Sequence, residues 1–381
     1  MVFNVVFRET GCCLPERIVS NSDFEDYEFY TSEGKPEIQP TAQIIRKAER
    51  RFGIKERRLA REDQVASDLG AIAVANSGVD TNSLDMIIGA SNYGDMVVGD
   101  VGYPTCDFVP SLASRVARKT GLVGEGKYFK SFDLIDACAG GLESMFVAEM
   151  YIRNNMFSEI NKAGVVAMET LFRVGDTSSK DILLLGEGGA FVALEGVESD
   201  RKEGILSCAT QTVRYFVPKL GIDSKMEPVT DCSKYITSGV PNNPALRDGR
   251  RCFKMLGPFV KQVASEYVPL VARRAMERAG VGVDELKLLI FHQANADMVN
   301  DMALGSGVRA DDLDRKVPIT NDWLANQSLV STPTILDLVY RGKLTSPKSH
   351  VYSINPGDKI LIATVGGGIS ANAMVYQEPM R

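Results

Sequence analysis

Two hydrophobic periods alternate along this chain. Short apolar runs at Met86–Ala90, Ser131–Ile135, Gly164–Met168, Ile182–Leu185 and Phe191–Leu194 read as buried strands in the first half. Leu286–Phe291, Lys359–Val365 and Ala371–Tyr376 read the same way in the second. Between them, amphipathic stretches predict helices at Gln64–Asn76, Pro110–Thr120, Gly140–Asn154, Phe259–Ala279 and Pro333–Arg341. Met1–Phe7 alternates apolar residues and meets Arg8 at once, the pattern of a first strand rather than of a secretory signal. The polar, irregular stretch Gly196–Asn243 reads as a connection with surface excursions. Strands alternating with helices predict α/β layers.

The two halves resemble each other. Ser83–Asn92 parallels Glu285–Ala294, each a polar lead-in, a buried strand and polar residues where the strand emerges. Leu134–Tyr151 parallels Leu324–Tyr340, with Cys138 at the turn of one and Asn326 at the turn of the other. Each half then closes on a glycine cluster, Gly186–Gly189 and Gly366–Gly368. Three matches in the same order predict a duplicated unit, divided here into residues 1–195 and 196–381.

Charge and cysteine usage narrow the function classes. Forty-three Lys and Arg against 49 Asp and Glu leave the 381 residues at −6, with no electrostatic footprint for nucleic acid. The one basic stretch, Arg46–Arg61, carries Glu49 and Glu56 and reads as a solvated helix face. No apolar run approaches the roughly 20 residues of a membrane-spanning helix. Seven cysteines with no metal-like spacing predict reduced thiols and a cytoplasmic protein, and two histidines exclude a His-rich metal site. No metal and no cofactor is expected.

Candidate chemistry collects at strand exits. Cys138 follows a buried strand and opens a helix, where the positive end of the helix dipole is expected to lower the thiol pKa. The small neighbours Ala137, Ala139, Gly140 and Gly141 leave room for a substrate carbonyl. His292 follows the strand Leu288–Phe291 directly, and Asn326 begins a helix-like run. Taken singly, these are equally a core cysteine, a core histidine and a helix cap. Together, they offer a nucleophile and two hydrogen-bond donors for an oxyanion or enolate. His350 ends a polar run and reads as a surface residue.

At these residues the chain resembles the thiolase superfamily, and within it the β-ketoacyl-acyl-carrier-protein synthase III group. The resemblance is carried by Gly53-Ile-Lys-Glu-Arg-Arg58, Asp63–Leu69, the Asp-Ala-Cys-Ala-Gly turn, Gly186-Glu-Gly, Gly249–Lys254, His292-Gln-Ala-Asn295, Asn326-Gln-Ser328, Pro356-Gly-Asp358 and Gly366–Gly368. It implies a five-layered αβαβα fold from two pseudo-duplicated halves, assembled as a homodimer. It also implies roles. Cys138 would accept an acyl group from an acyl carrier protein or coenzyme A thioester. His292 and Asn326 would stabilise the enolate of a malonyl- or β-ketoacyl-type thioester for a Claisen condensation. Backbone N–H groups of Cys138, Gly367 and Gly368 would form the oxyanion hole. Phe108 and Val109, in a segment resembling the one that closes the partner's acyl tunnel, would set the acyl pocket. Val109 stands where short-primer relatives place a Phe, which implies a medium or long acyl chain.

Three departures from the family pattern point to specialised lipid or secondary metabolism. Lys47 and Ser179 occupy the places of a Trp and an Arg that grip a coenzyme A adenine, and Asp297 that of an Arg that receives the carrier protein. The segment Phe24–Gln43 is longer than its counterpart and is expected to reshape the entrance. Two other readings stay open: acyl transfer from Cys138 to an alcohol or amine, and a non-catalytic partner subunit of a heterodimeric ketosynthase.

Overall fold

Strands apolar on both faces need cover on both faces, and this chain supplies it with three helical layers. The computed structural model describes residues 1–98, 104–122, 128–154, 159–214 and 231–380. The first sheet is built from β1 (Val2–Cys13), β2 (Met86–Ala90), β3 (Lys130–Leu134), β4 (Lys162–Glu169) and β5 (Gly188–Ser199), in the order β1-β5-β4-β2-β3. The second is built from β6 (Gly204–Thr212), β7 (Leu286–Phe291), β8 (Lys359–Val365) and β9 (Ser370–Gln377), in the order β6-β9-β8-β7. In both sheets the outer strand and its neighbour are antiparallel pairs, and the pairing then turns parallel. The two halves thus repeat one topology.

Helix α1 (Thr41–Phe52) packs Ile44 and Ile45 into a separate apolar cluster, while helices α2 (Ala66–Ser77) and α3 (Leu112–Lys119) cover the outside of the first sheet, packing Leu69, Ala73 and Val116 against Ile87, Val166 and Met168. Helix α5 (Gly257–Ala279), with α6 (Ala296–Gly305), covers the outside of the second through Val263 and Val271 on Leu289 and Leu361. Between the sheets lie α4 (Gly140–Arg153) and α7 (Ser331–Tyr340), whose Leu142, Met145, Ile335 and Leu336 join Ile88, Val165, Ile290 and Ile362 in one core. In β8, Ile360 and Ile362 face this middle layer while Leu361 and Ala363 face α5, the period of two expected of a strand. This is the thiolase-like αβαβα architecture. No helix among the described residues is long and apolar enough to cross a membrane.

Two sequence expectations are corrected. Ile182–Leu185 is not a strand: Lys180–Leu184 forms a 3-10 turn, its start capped by the Ser179 hydroxyl accepting from the Asp181 N–H. Its leucines are buried with Phe24, Ile45 and Ile54, and a short apolar run carries no period to separate turn from strand. Nor is 196–243 merely a connection. β5 continues to Ser199, and β6 is a full strand of the second sheet, hidden in the sequence because an edge strand keeps polar Ser207, Thr210 and Gln211. Ile236–Gly239 then pairs with Cys252–Met255 in a hairpin, while 215–230 lies outside the described residues.

The central helices are locked to the site by one close approach. A Cβ on Gly141, in the first turn of α4, would lie 2.5 Å from the carbonyl oxygen of Leu329. Gly141→Ala must therefore push the Cys138 turn away from the segment that follows Asn326. A loss of about 1–3 kcal/mol in denaturant unfolding is expected; an unchanged midpoint would contradict this packing.

Candidate active site

Cys138 and His292 are delivered by the ends of buried strands, whereas Asn326, expected at a strand exit, follows the short helical turn Asn321–Leu324 instead. β3 ends at Leu134, and Ala137, held at φ +45, turns the chain so that Cys138 lies in a 3-10 turn leading into α4. His292 follows β7, and its backbone N–H donates to Ala363 (2.9 Å), extending the parallel ladder by one rung. Asn326 is pinned from both sides: its N–H donates to the Leu184 carbonyl (2.8 Å) and its carbonyl accepts from Gly186 N–H (2.9 Å). The 3-10 turn misread as a strand thus holds one of the three key residues.

The side chains are oriented as closely. Asn326 Oδ1 accepts from the Ser328 N–H (2.8 Å), which leaves the amide NH2 as the group available to a ligand. The Ser328 hydroxyl donates to Cys138 Sγ (3.2 Å). Ser331 Oγ lies 3.3 Å from His292 Nδ1. Gly366 seats the β8–β9 turn against the Cys138 turn, since a Cβ there would lie 2.7 Å from the Asp136 carbonyl oxygen and 3.0 Å from the Ala139 nitrogen. Its own N–H donates to Ser370, whereas those of Gly367 and Gly368 have no partner among the described residues. Ala137, Ala325, Ser328 and Ile369, four of the five non-glycine positive-φ residues among those described, border this site. Such strain, about 1–3 kcal/mol each, gathers where geometry matters more than local comfort.

Cys138, His292, Asn326 and Gly366 share one cavity of about 480 Å3. Tyr30, Thr31, Ser32 and Glu37 also line it, so the long segment Phe24–Gln43 does shape it. Exposed Arg51, Lys180 and Asp297 stand in its wall, as does Ser179. Lys47 does not, and its ammonium donates to Gln39 instead. Phe108 and Val109 do not line the cavity of their own chain. Phe108 packs on the α2–α3 core, while Val109 is 84% exposed.

Electrostatics overturn one expectation. Burial pushes the Cys138 thiol up to about 11, and the carboxyls of buried Glu169 and half-buried Asp136 push it the same way. The Ser328 hydroxyl opposes them without prevailing, so the helix terminus does not produce a resting thiolate. Burial also brings His292 down to about 4, so its ring is neutral at neutral pH.

The sequence reading missed the partners of the three residues. Glu169 ends β4, is 1% exposed, and is raised by burial to about 8. It accepts from the Asn92 backbone N–H, and Asn92 Nδ2 donates to Ser328 Oγ (3.1 Å). Asn92 and Glu169 stand at strand exits of the first half, so the rule that picked out His292 also picks them out.

Because the thiolate is the nucleophile, alkylation of Cys138 by iodoacetamide should climb about tenfold per pH unit from 7 to 10 without levelling. Peptide-level mass spectrometry reads this, and a plateau below pH 8 would show that the helix terminus wins after all.

Comparison with known proteins agrees with the fold and the motifs. Residues 276–377 match the family model described as 3-oxoacyl-[acyl-carrier-protein] synthase III C terminal. The β-ketoacyl-[acyl-carrier-protein] synthase III of Aliarcobacter butzleri is 26% identical over 379 residues, 97% of each chain, and that of Laribacter hongkongensis 29% over 367, 95% of each. Among solved structures, the priming β-ketosynthase of the R1128 polyketide pathway superposes with a TM-score of 0.73 at 22% identity, covering 99% of this chain and 97% of its own. Along nearly its whole length the chain is similar in sequence to β-ketoacyl-acyl-carrier-protein synthase III proteins and shares the fold of their solved structures.

Proposed function

We propose that this protein is a Claisen-condensing ketosynthase that is acylated on Cys138 and then extends the acyl group with a malonyl- or β-ketoacyl-type thioester. The observation that carries the reading is the convergence of Cys138, His292 and Asn326 on one cavity, with the Asn326 amide NH2 left unengaged by its own turn. In the first half-reaction the Cys138 sulfur bonds to the acyl carbonyl carbon and the carrier thiol leaves with a proton. The N–H groups of Cys138, Gly367 and Gly368 hold the carbonyl oxygen. In the second, a malonyl thioester loses its carboxylate as carbon dioxide, and the electron pair left on C2 spreads onto the thioester oxygen. His292 and Asn326 donate to that oxygen. C2 then bonds to the acyl carbon, and the carbon–sulfur bond to Cys138 breaks.

Neutral donors suit this step. A carboxylate in place of Asn326 would repel the enolate, and a protonated His292 is excluded at neutral pH by its burial. The Ser331 hydroxyl, which donates to the Ser328 carbonyl in the resting structure, must turn its proton to Nδ1, 3.3 Å away, to leave Nε2–H as the donor. Simple transfer to an alcohol or amine has no use for two enolate donors, so the pair favours condensation. The intact trio likewise disfavours a non-catalytic subunit.

Acyl carrier protein or coenzyme A thioesters are the proposed partners, and a second copy of the chain the proposed assembly. The first sheet ends at β3, whose outer edge is unpaired among the described residues, and Ile135 beside it is 61% exposed. Val109, exposed on the same chain, is the side chain free to enter a partner's tunnel, whereas Phe108 is held by its own core.

Incubation with acyl thioesters should leave an adduct on Cys138 that Cys138→Ala abolishes; no adduct with any chain from two to about a dozen carbons would contradict the reading. His292→Ala and Asn326→Ala should still acylate but lose about 10²–10³ in condensation rate. Equal losses in both steps would refute this division of roles. Each further methylene of the acyl chain is worth up to ~0.8 kcal/mol in a deep tunnel. Acylation should therefore favour chains of about six carbons or more, and Val109→Phe should shift the profile toward short ones. A parent that prefers acetyl, or an unmoved profile, rules the deeper tunnel out.

A further inference from the structure

Ser328 has no part in the steps above, yet it bonds toward all three residues that do. Its backbone N–H donates to Asn326 Oδ1 (2.8 Å) and its hydroxyl to Cys138 Sγ (3.2 Å). Its carbonyl accepts from the Ser331 hydroxyl (2.9 Å), whose oxygen lies against His292 Nδ1. The residue is buried and held at φ +55, a conformation that persists only where its surroundings over-determine it.

A serine hydroxyl has one proton to place. Asn92 Nδ2 donates to Ser328 Oγ (3.1 Å), which occupies the oxygen as an acceptor and directs its proton to the sulfur. Asn92 is fixed in turn by its backbone N–H, which donates to the buried Glu169 carboxyl. We propose that the Ser328 hydroxyl, aimed by Asn92 and Glu169, is a catalytic hydrogen-bond donor to the Cys138 thiolate, while the same residue's backbone N–H holds Asn326 ready for the enolate. Ser328 touches the reacting sulfur; Asn92 and Glu169 act through it as positioning residues. The proposal rests on the ketosynthase reading for its place in the cycle, but the thiolate chemistry can be tested without it.

The two functions of residue 328 separate by mutation. Ser328→Ala and Ser328→Gly both remove the hydroxyl and keep the backbone N–H, and glycine adopts φ +55 without strain, so a folded variant is available. The test is the pH profile of Cys138 alkylation by iodoacetamide, read by peptide mass spectrometry, with exposed Cys106 in the same molecule as the internal standard. A hydrogen bond to a charged group is strong enough that both variants should lose about tenfold or more in Cys138 alkylation at pH 8. Their profiles should move to higher pH, and Asn92→Leu should move the same way by less. Profiles of both Ser328 variants that superpose on the parent's would overturn the proposal. A Ser328-dependent profile in a protein that no acyl thioester loads would uphold the hydrogen bond and sink the ketosynthase reading instead.

Discussion

Burial of both sheets on both faces is the constraint from which the site follows. With apolar helices above and below the central strands, polar side chains collect at strand ends and along the edge strand β6, and the duplicated topology brings the ends of the two sheets to one place. Cys138 comes from the first sheet, His292 from the second, and Asn326 from the segment that enters the second central helix. Neither half can build the constellation alone. The close approaches of Gly141 to Leu329 and of Gly366 to the Cys138 turn bring the halves within bonding distance.

The same burial sets the chemistry. Desolvation disfavours charge, so it raises the thiol, lowers the imidazole and raises the carboxyl of Glu169 together. At neutral pH the resting site is therefore close to uncharged, made of a thiol, a neutral ring and amide donors. Such a site holds its strongest interactions for the charge that develops during reaction, where preorganised donors act without first reorganising. The cost is a Cys138 thiol poorly ionised at rest, which is where the proposed Ser328 hydrogen bond would act.

Much of this was legible in the chain. The central strands and most helices follow from hydrophobic period. Strand exits pointed to Cys138 and His292 because a polar side chain leaving a buried strand must face either solvent or a site; Asn326 was read the same way but follows the helical turn Asn321–Leu324. What was lost was lost for physical reasons. β6 is an edge strand and its polar alternation imitates a loop. Ile182–Leu185 is uniformly apolar, so no period marked it as a turn. The thiol's direction of shift depended on how much protein surrounds it, and no pattern along one dimension reports that. Ser328, Asn92 and Glu169 lie far apart in sequence and meet only through tertiary contacts.

The central claim is that this site makes a carbon–carbon bond. It is tested most directly by following carbon-13 placed at C2 of malonyl and β-ketoacyl thioesters offered to the Cys138-acylated protein. The account predicts that the label from one of these thioesters becomes bonded to the former acyl carbonyl carbon as Cys138 is released. Acyl groups discharged to water, an alcohol or an amine, with the label in no new carbon–carbon bond from either thioester class, would contradict it.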